Sequence, residues 1–179
     1  MMSESSDLQP TLVGPTILVR PIEPGDWEEM FRVASDPQIW ALHPSSDRYQ
    51  EGPFREFFSS ALASGGAFAF VDRASGKIIG SSRYKGLKPE LSELEIGWTF
   101  LSRDYWGGNA NREIKKLMLE HAFTFVDCVT FWVGASNYRS RAAMEKIGGV
   151  LRESGEVRTI KGIDYPHVQY EIRKKDFKL

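Results

Sequence analysis

The passage LEIGWTFLSRDYWGGNANREIKKLML, residues 94–119, constrains this chain most, because a two-residue periodicity gives way there to a helical one across a glycine pair. Before the glycines, Leu94, Ile96, Trp98 and Phe100 share one face of a strand, and Glu93, Glu95, Gly97 and Thr99 share the other. After them, Ile114, Leu117, Met118, Ala122 and Phe125 recur at helical spacing, while Lys115, Lys116 and Glu120 turn away as a solvated face. A strand that runs through Gly107-Gly108 into an amphipathic helix calls for a sheet with helices laid on it.

The other segments fit around this one. TILVRP reads as a first strand, and Pro24 with Asp26, Glu28 and Glu29 opens a helix, proline and carboxylates both suiting a first turn. Asp36-Pro37 ends that run, and a second helix is expected over 52–63 with Phe54, Phe57, Phe58, Ala61 and Leu62 on one face. Ala67–Val71 and Lys77–Tyr84 form a hairpin through DRASG, with Leu91–Leu101 the third strand of that meander. Val129–Val133 is a buried strand, Asn137 starts a helix that Gly148-Gly149 stops, and Val150–Thr159 pairs with Tyr165–Ile172 around Lys161-Gly162. The expected fold is α/β (α+β), with a mixed sheet in one domain over 11–179 behind a loose tail at 1–10.

Composition narrows the function. A formal net charge of −1 supplies no basic field for nucleic acid or an anionic membrane. Cys128 is the single cysteine, which leaves no internal disulfide and no multi-cysteine zinc site, and suits a reducing cytoplasm. No apolar run reaches the roughly 18 residues of a membrane span. The polar, acidic start MMSESSDLQP lacks the pattern of a signal peptide. His43, His121 and His167 are scattered without metal-ligand spacing, so no metal is expected.

The glycine turn admits two readings. A helix start leaves backbone N–H groups unpaired and carries partial positive charge, and glycines let a bulky anion approach that backbone, so the turn suits a phosphate. Gly107-Gly108 can equally serve only to turn the corner. The turn is neither a Walker loop nor a dinucleotide fingerprint.

Together, YWGGNANRE, the later GASNYRSRAAMEKIGG and the order of elements resemble the GNAT superfamily of N-acetyltransferases, and most closely its RimJ/RimL-type branch, as does the opening LVGPTILVRPIEPGDWEEMF. The resemblance spans roughly residues 11–173. It implies a mixed, mostly antiparallel sheet whose central parallel strands splay apart to admit the pantetheine arm of acetyl-CoA. It further implies that the backbone at Thr99, Phe100 and Leu101 meets the pantetheine amides, and that the amides of Trp106, Gly107, Gly108, Asn109, Ala110 and Asn111, with Arg112 beside them, hold the pyrophosphate. Asn137 and Ser140 would lie near the pantetheine and thioester end, with CoA released as product. Three positions depart from the family pattern: Asp104 replaces its Gln or Arg, Asn109 its second glycine or alanine, and Met144 its tyrosine general acid. Arg103 and Arg112 are candidates for the missing positive charge, and Asp104 is expected to point away from the pyrophosphate. Ser140, water or another group must then protonate the leaving thiolate.

Aminolysis of a thioester needs a neutral amine, whereas a lysine-like amine has a pKa of about 10. Glu95 is the candidate base, and it resembles the base of histone-type members; Glu93 is the next candidate. Alternatively both carboxylates line a wet sheet face or pair with Arg83. His43 borders the acceptor side in this branch, and Lys146 or Arg141 is placed to meet a CoA phosphate. The acceptor is a protein N-terminus or a small-molecule amine, and the oligomeric state is open, a homodimer included. The alternative function is a non-catalytic acyl-CoA-binding or regulatory module on the same fold.

Overall fold

The computed structural model describes residues 6–179, with nothing described of the side chains at 153 and 154. Its elements run β1 (Leu12–Val13), β2 (Ile17–Pro21), α1 (Trp27–Ala34), α2 (Pro37–Trp40), α3 (Glu51–Ser64), β3 (Ala67–Asp72), β4 (Ile78–Lys88), β5 (Glu93–Leu101), α4 (Ala110–Ala122), β6 (Cys128–Gly134), α5 (Tyr138–Lys146), β7 (Val150–Ile160) and β8 (Ile163–Arg173). They build one sheet in the order β1-β2-β3-β4-β5-β6-β8-β7. Every neighbouring pair is antiparallel except β5 and β6.

Two apolar clusters sandwich this sheet. On one side Ile114, Met118, Leu119 and Ala122 of α4, with Met144 and Ile147 at α5, pack against Val19, Phe68, Phe70, Leu94, Ile96 and Val129. On the other, Met30 and Ala34 of α1, Trp40 of α2 and Phe54, Phe57 and Phe58 of α3 pack against Ala67, Ala69, Ile78 and Phe100. Burying such side chains contributes about 1.5–3 kcal/mol each. The expected loose tail at 1–10 lies partly outside the described residues; within it, Leu8 packs on the first cluster and the Gln9 amide donates to the Ala67 carbonyl at 3.1 Å. Among the described residues no helix is long and apolar enough to cross a membrane.

The expected single face for Leu94, Ile96, Trp98 and Phe100 does not hold. Arg83 pairs with Gly97 and Ser81 with Phe100, so β5 carries one extra residue against β4. Trp98 absorbs it in the left-handed region, at φ 54°. One inserted residue exchanges the two faces of a strand. Beyond the bulge, Trp98 and Phe100 therefore turn to the α1/α3 side, while Leu101 joins Leu94 and Ile96 on the α4 side.

The parallel pair is short. Glu93, Leu94 and Glu95 stand opposite Cys128, Val129 and Thr130, and no pair joins the strands beyond that point. The chain thus contains the splayed strands, Ile96–Leu101 lining one wall of a gap and Phe131–Gly134 the other.

Candidate active site

The gap opens into a cleft of about 560 Å³, a volume typical of small-molecule sites. At one end β5 leads through a 3₁₀ turn, Arg103–Tyr105, into the glycine pair. Gly107 adopts φ 74°, which lets the chain reverse into α4 without side-chain strain. The Trp106 N–H donates to the Arg103 carbonyl at 3.0 Å, and its indole donates to the Leu101 carbonyl at 2.9 Å. The open run of amides therefore begins at Gly107 rather than Trp106. From Gly107 to Arg112 the backbone N–H groups take no partner among the described residues, and α4 has no side-chain N-cap. A thirteen-residue helix adds its dipole to these donors.

The charges around this end differ from expectation. Arg103 is drawn off by Asp36, with Nε 2.5 Å from its carboxylate, and does not face the cleft. Asp104 lies outside it, as expected, facing a depression shared with Thr16 and Asp72. Cations reach the cleft from Arg112, Lys146 and Arg139. Arg139 escaped notice in the sequence; it stacks 4.0 Å over the Trp106 ring and donates to the Ile39 carbonyl at 2.8 Å. Arg141 instead braces the turn after β6, donating to the Ala135 carbonyl and the Tyr170 hydroxyl.

Along the gap, Thr99, Phe100 and Leu101 line one side and Asn137 and Ser140 the other. Asn137 caps α5: its side-chain carbonyl accepts from the Ser140 N–H at 3.3 Å. The Ser140 hydroxyl has no partner among the described residues and lines the cleft. Besides Arg103 and Arg141, Ala110 is the residue expected at the cofactor that turns from the cleft, packing on the α4-side cluster.

Glu95 lies at the other end. Burial pushes its carboxyl above the usual range, partly opposed by Arg158 and Lys85. Glu93 is engaged elsewhere, its carboxylate 2.5 Å from Arg152, which also holds Glu171 at 2.8 Å. Arg83 pairs with neither glutamate; it is buried against Ser60 and the Phe57 carbonyl. His43 and His167, far apart in the sequence, both line this end. The His43 Nδ1 accepts from the Ser45 N–H at 2.9 Å, leaving Nε2–H as its donor, and burial lowers its pKa to about 3. His167 has Nδ1 2.8 Å from the Tyr165 carbonyl, so that nitrogen donates, and its Nε2 takes no partner among the described residues. An ion pair between Lys161 and Asp47 ties the β7–β8 turn to the loop carrying His43. Among the described residues no three His, Cys, Asp or Glu side chains are grouped to hold a metal.

Lys115 departs furthest from expectation. It is 3% exposed and lines the cleft, where its Nζ donates to the Thr99 hydroxyl at 3.0 Å. Because the bulge turns Thr99 toward α4, the hydroxyl is within reach.

The glycine turn itself predicts a clean separation of effects. A Cβ built at Gly108 meets nothing closer than the Tyr105 carbonyl at 4.0 Å. Gly108→Val should therefore keep its Tm within about 2 °C, as a surface change does, yet crowd any anion on the open amides. Calorimetry should show weakened CoA binding, and unchanged affinity would show that the anion sits elsewhere.

The acetyltransferase (GNAT) domain family matches residues 16–150. A GCN5-related N-acetyltransferase from Brucella melitensis superposes with a TM-score of 0.83 at 20% identity, covering 94% of this chain and 80% of that one. RimJ from Mycobacterium smegmatis, in complex with CoA-disulfide, gives a TM-score of 0.70 at 17% identity, covering 95% and 88%. A ribosomal-protein-S5-alanine acetyltransferase from Vibrio fischeri gives 0.69 at 16%, covering 96% and 100%. At these identities the likeness is one of fold. No curated protein matches the sequence.

Proposed function

Since the chain belongs to the GNAT acetyltransferase family, we propose that it transfers acetyl from acetyl-CoA to an amine by direct attack in a ternary complex, as a member of the RimJ/RimL-type branch. One observation carries this reading: a single cleft runs from the open amides of Gly107–Arg112 to a half-buried carboxylate, Glu95. The open amides and the cations beside them fit a pyrophosphate, and the unpaired edges of β5 and β6 fit a chain with amides of its own.

In this reading the amides from Gly107 to Arg112 hold the pyrophosphate, with Arg112, Arg139 and Lys146 balancing its charge. Thr99, Phe100 and Leu101 offer backbone groups to the pantetheine arm, although the Leu101 carbonyl already accepts the Trp106 indole. Asn137 and Ser140 orient the thioester end. Glu95 takes the proton of the incoming amine, directly or through water, its raised pKa making it a stronger proton acceptor than an exposed glutamate. The acceptor is a small amine or a protein N-terminus, entering past His43, Arg48 and His167. Acetyl-CoA with a panel of amines and N-terminal peptides, read by thiol release and product mass, tests the proposal. Tight CoA binding without turnover of any amine would favour the acyl-CoA-binding module instead.

Asn137 and Ser140 should separate in their effects. Asn137→Ala removes the α5 cap and should cost about 0.5–2 kcal/mol of stability as well as turnover. Ser140→Ala loses no bond within the fold and should leave Tm unchanged, while kcat falls by the roughly 1–4 kcal/mol of barrier that a transition-state hydrogen bond supplies. Full activity in Ser140→Ala would remove it from the site.

A further inference from the structure

Lys115 sits where a buried ammonium has no structural reason to be. It projects from α4 into the gap between β5 and β6, with the Phe131 ring 5.7 Å from its Nζ on the β6 side. One of its three donors goes to the Thr99 hydroxyl. No carboxylate lies within ion-pair distance of it among the described residues. Isolated charges are costly to bury, and an apolar side chain at this place would stabilise α4 against the sheet. The cost falls on a group that faces the cleft. Strand alternation also places Glu95 on the opposite face of β5 from the α4-side residues Leu94 and Ile96. Glu95 and Lys115 therefore approach the gap from opposite sides of the sheet.

We propose that Lys115 is the general acid that protonates the departing thiolate, filling the role left open by Met144. The proposal rests on the acetyl-CoA reading above. The pantetheine arm is neutral, and negative charge develops along the gap only as the thioester reacts, first on its carbonyl oxygen and finally on the departing sulfur. As the nitrogen–carbon bond forms and the carbon–sulfur bond breaks, the electron pair goes to sulfur and Lys115 Nζ passes it a proton. Glu95 takes the proton lost by the amine and releases it to solvent, from which Lys115 regains one, so no net proton is consumed. Burial supports the assignment by lowering the Lys115 pKa to about 8, near that of a thiol. The titratable and charged groups that line the cleft with it are Glu95 on β5, Tyr105 before α4, Arg112 on α4, Arg139 and Lys146 on α5, Arg158 on β7, His167 on β8, and His43 and Arg48 after α2; Phe131–Gly134 of β6 contributes none.

Lys115→Met and Lys115→Arg test this. In calorimetry the wild type should bind CoA roughly tenfold or more tightly than desulfo-CoA near pH 8, where Lys115 still carries charge, the scale on which a nearby opposite charge favours a thiolate, and the preference should fade at higher pH as Lys115 deprotonates. Lys115→Met should lose that preference while binding desulfo-CoA as before, and its Tm should rise. Its kcat should fall by roughly 10²–10⁴, and the decline of kcat on the alkaline side should vanish with it. Lys115→Arg should keep the thiolate preference but not recover kcat, because a guanidinium does not release its proton. The proton release that accompanies CoA binding to the unmodified protein, read in buffers of different ionisation enthalpy, gives the same answer without a variant. An unchanged thiol preference and alkaline limb in Lys115→Met would overturn the proposal. So would an acetyl mass gain on Lys115 after incubation with acetyl-CoA, or a preference for an anionic acyl-CoA that this variant abolishes. Failure of the wild type to bind CoA at all would instead sink the acetyl-CoA reading.

Discussion

Glu95→Gln should bind acetyl-CoA with unchanged affinity and turn over roughly 10²–10⁴ times more slowly, the usual contribution of a positioned base. The cofactor is held by backbone amides at the far end of the cleft, so binding and catalysis separate. The pH dependence follows from the raised pKa. Because burial makes the folded carboxyl hold its proton more tightly than an exposed glutamate, wild-type activity should fall as pH drops through that higher pKa. The glutamine variant should lack this acidic limb and rise with pH as the amine itself deprotonates. Stability should move the opposite way. A carboxyl whose folded pKa is raised destabilises the fold once ionised; the penalty begins to lift as pH falls through the folded pKa and is gone below the unfolded one. Glu95→Gln should therefore melt higher than wild type above neutrality, with the difference shrinking in acid. Glu93→Gln should instead lose stability, since it leaves Arg152 with one carboxylate fewer. A wild-type pH profile in Glu95→Gln, with a good acceptor, would move the base elsewhere, and His167 with its free Nε2 is the first place to look.

Gly80→Ala should be among the most damaging small changes to the fold. Gly80 lies in β4 opposite Leu101, and a Cβ there would stand 2.2 Å from the Phe100 carbonyl oxygen. That oxygen belongs to the backbone of β5 and cannot swing aside as a side chain would. Relief requires β4 and β5 to part beside the bulge, where the Ser102 N–H also bonds the Ile79 carbonyl at 2.7 Å. Overpacking of this kind costs about 1–3 kcal/mol and sometimes more, which for a chain of this size lowers Tm by roughly 2–12 °C. Phe100 and Leu101 also form the edge that faces the gap, so CoA affinity should fall with stability. A thermal melt and a CoA titration on the same sample check both. An unchanged Tm would mean that the two strands are not held together this closely.

The local chemistry of the chain determined much of the architecture. Period-two runs mark the strands, Pro24 and Asn137 mark helix starts, and the glycine pair marks the turn into α4; each acts over a few residues and so is written in them. The two motifs also carried the family, and with it the splayed parallel strands. Partners distant in sequence decided the rest. The bulge at Trp98 exists because β4 pairs with Gly97 and Phe100 and leaves one residue over, so alternation carried forward from Leu94 put Thr99 on the wrong face. Lys115 follows from that error: its place in the helical pattern reads as solvent, but the exchanged face of β5 supplies a hydroxyl at the floor of the gap. Glu93 and Glu95 are the same residue type two positions apart, and the reach of Arg152 from β7 is what occupies one and leaves the other facing the cleft. His43 and His167 meet there only because β8 lies beside β6 and the loop after α2 folds over its end, a juxtaposition set by the order of strands and invisible to any local window.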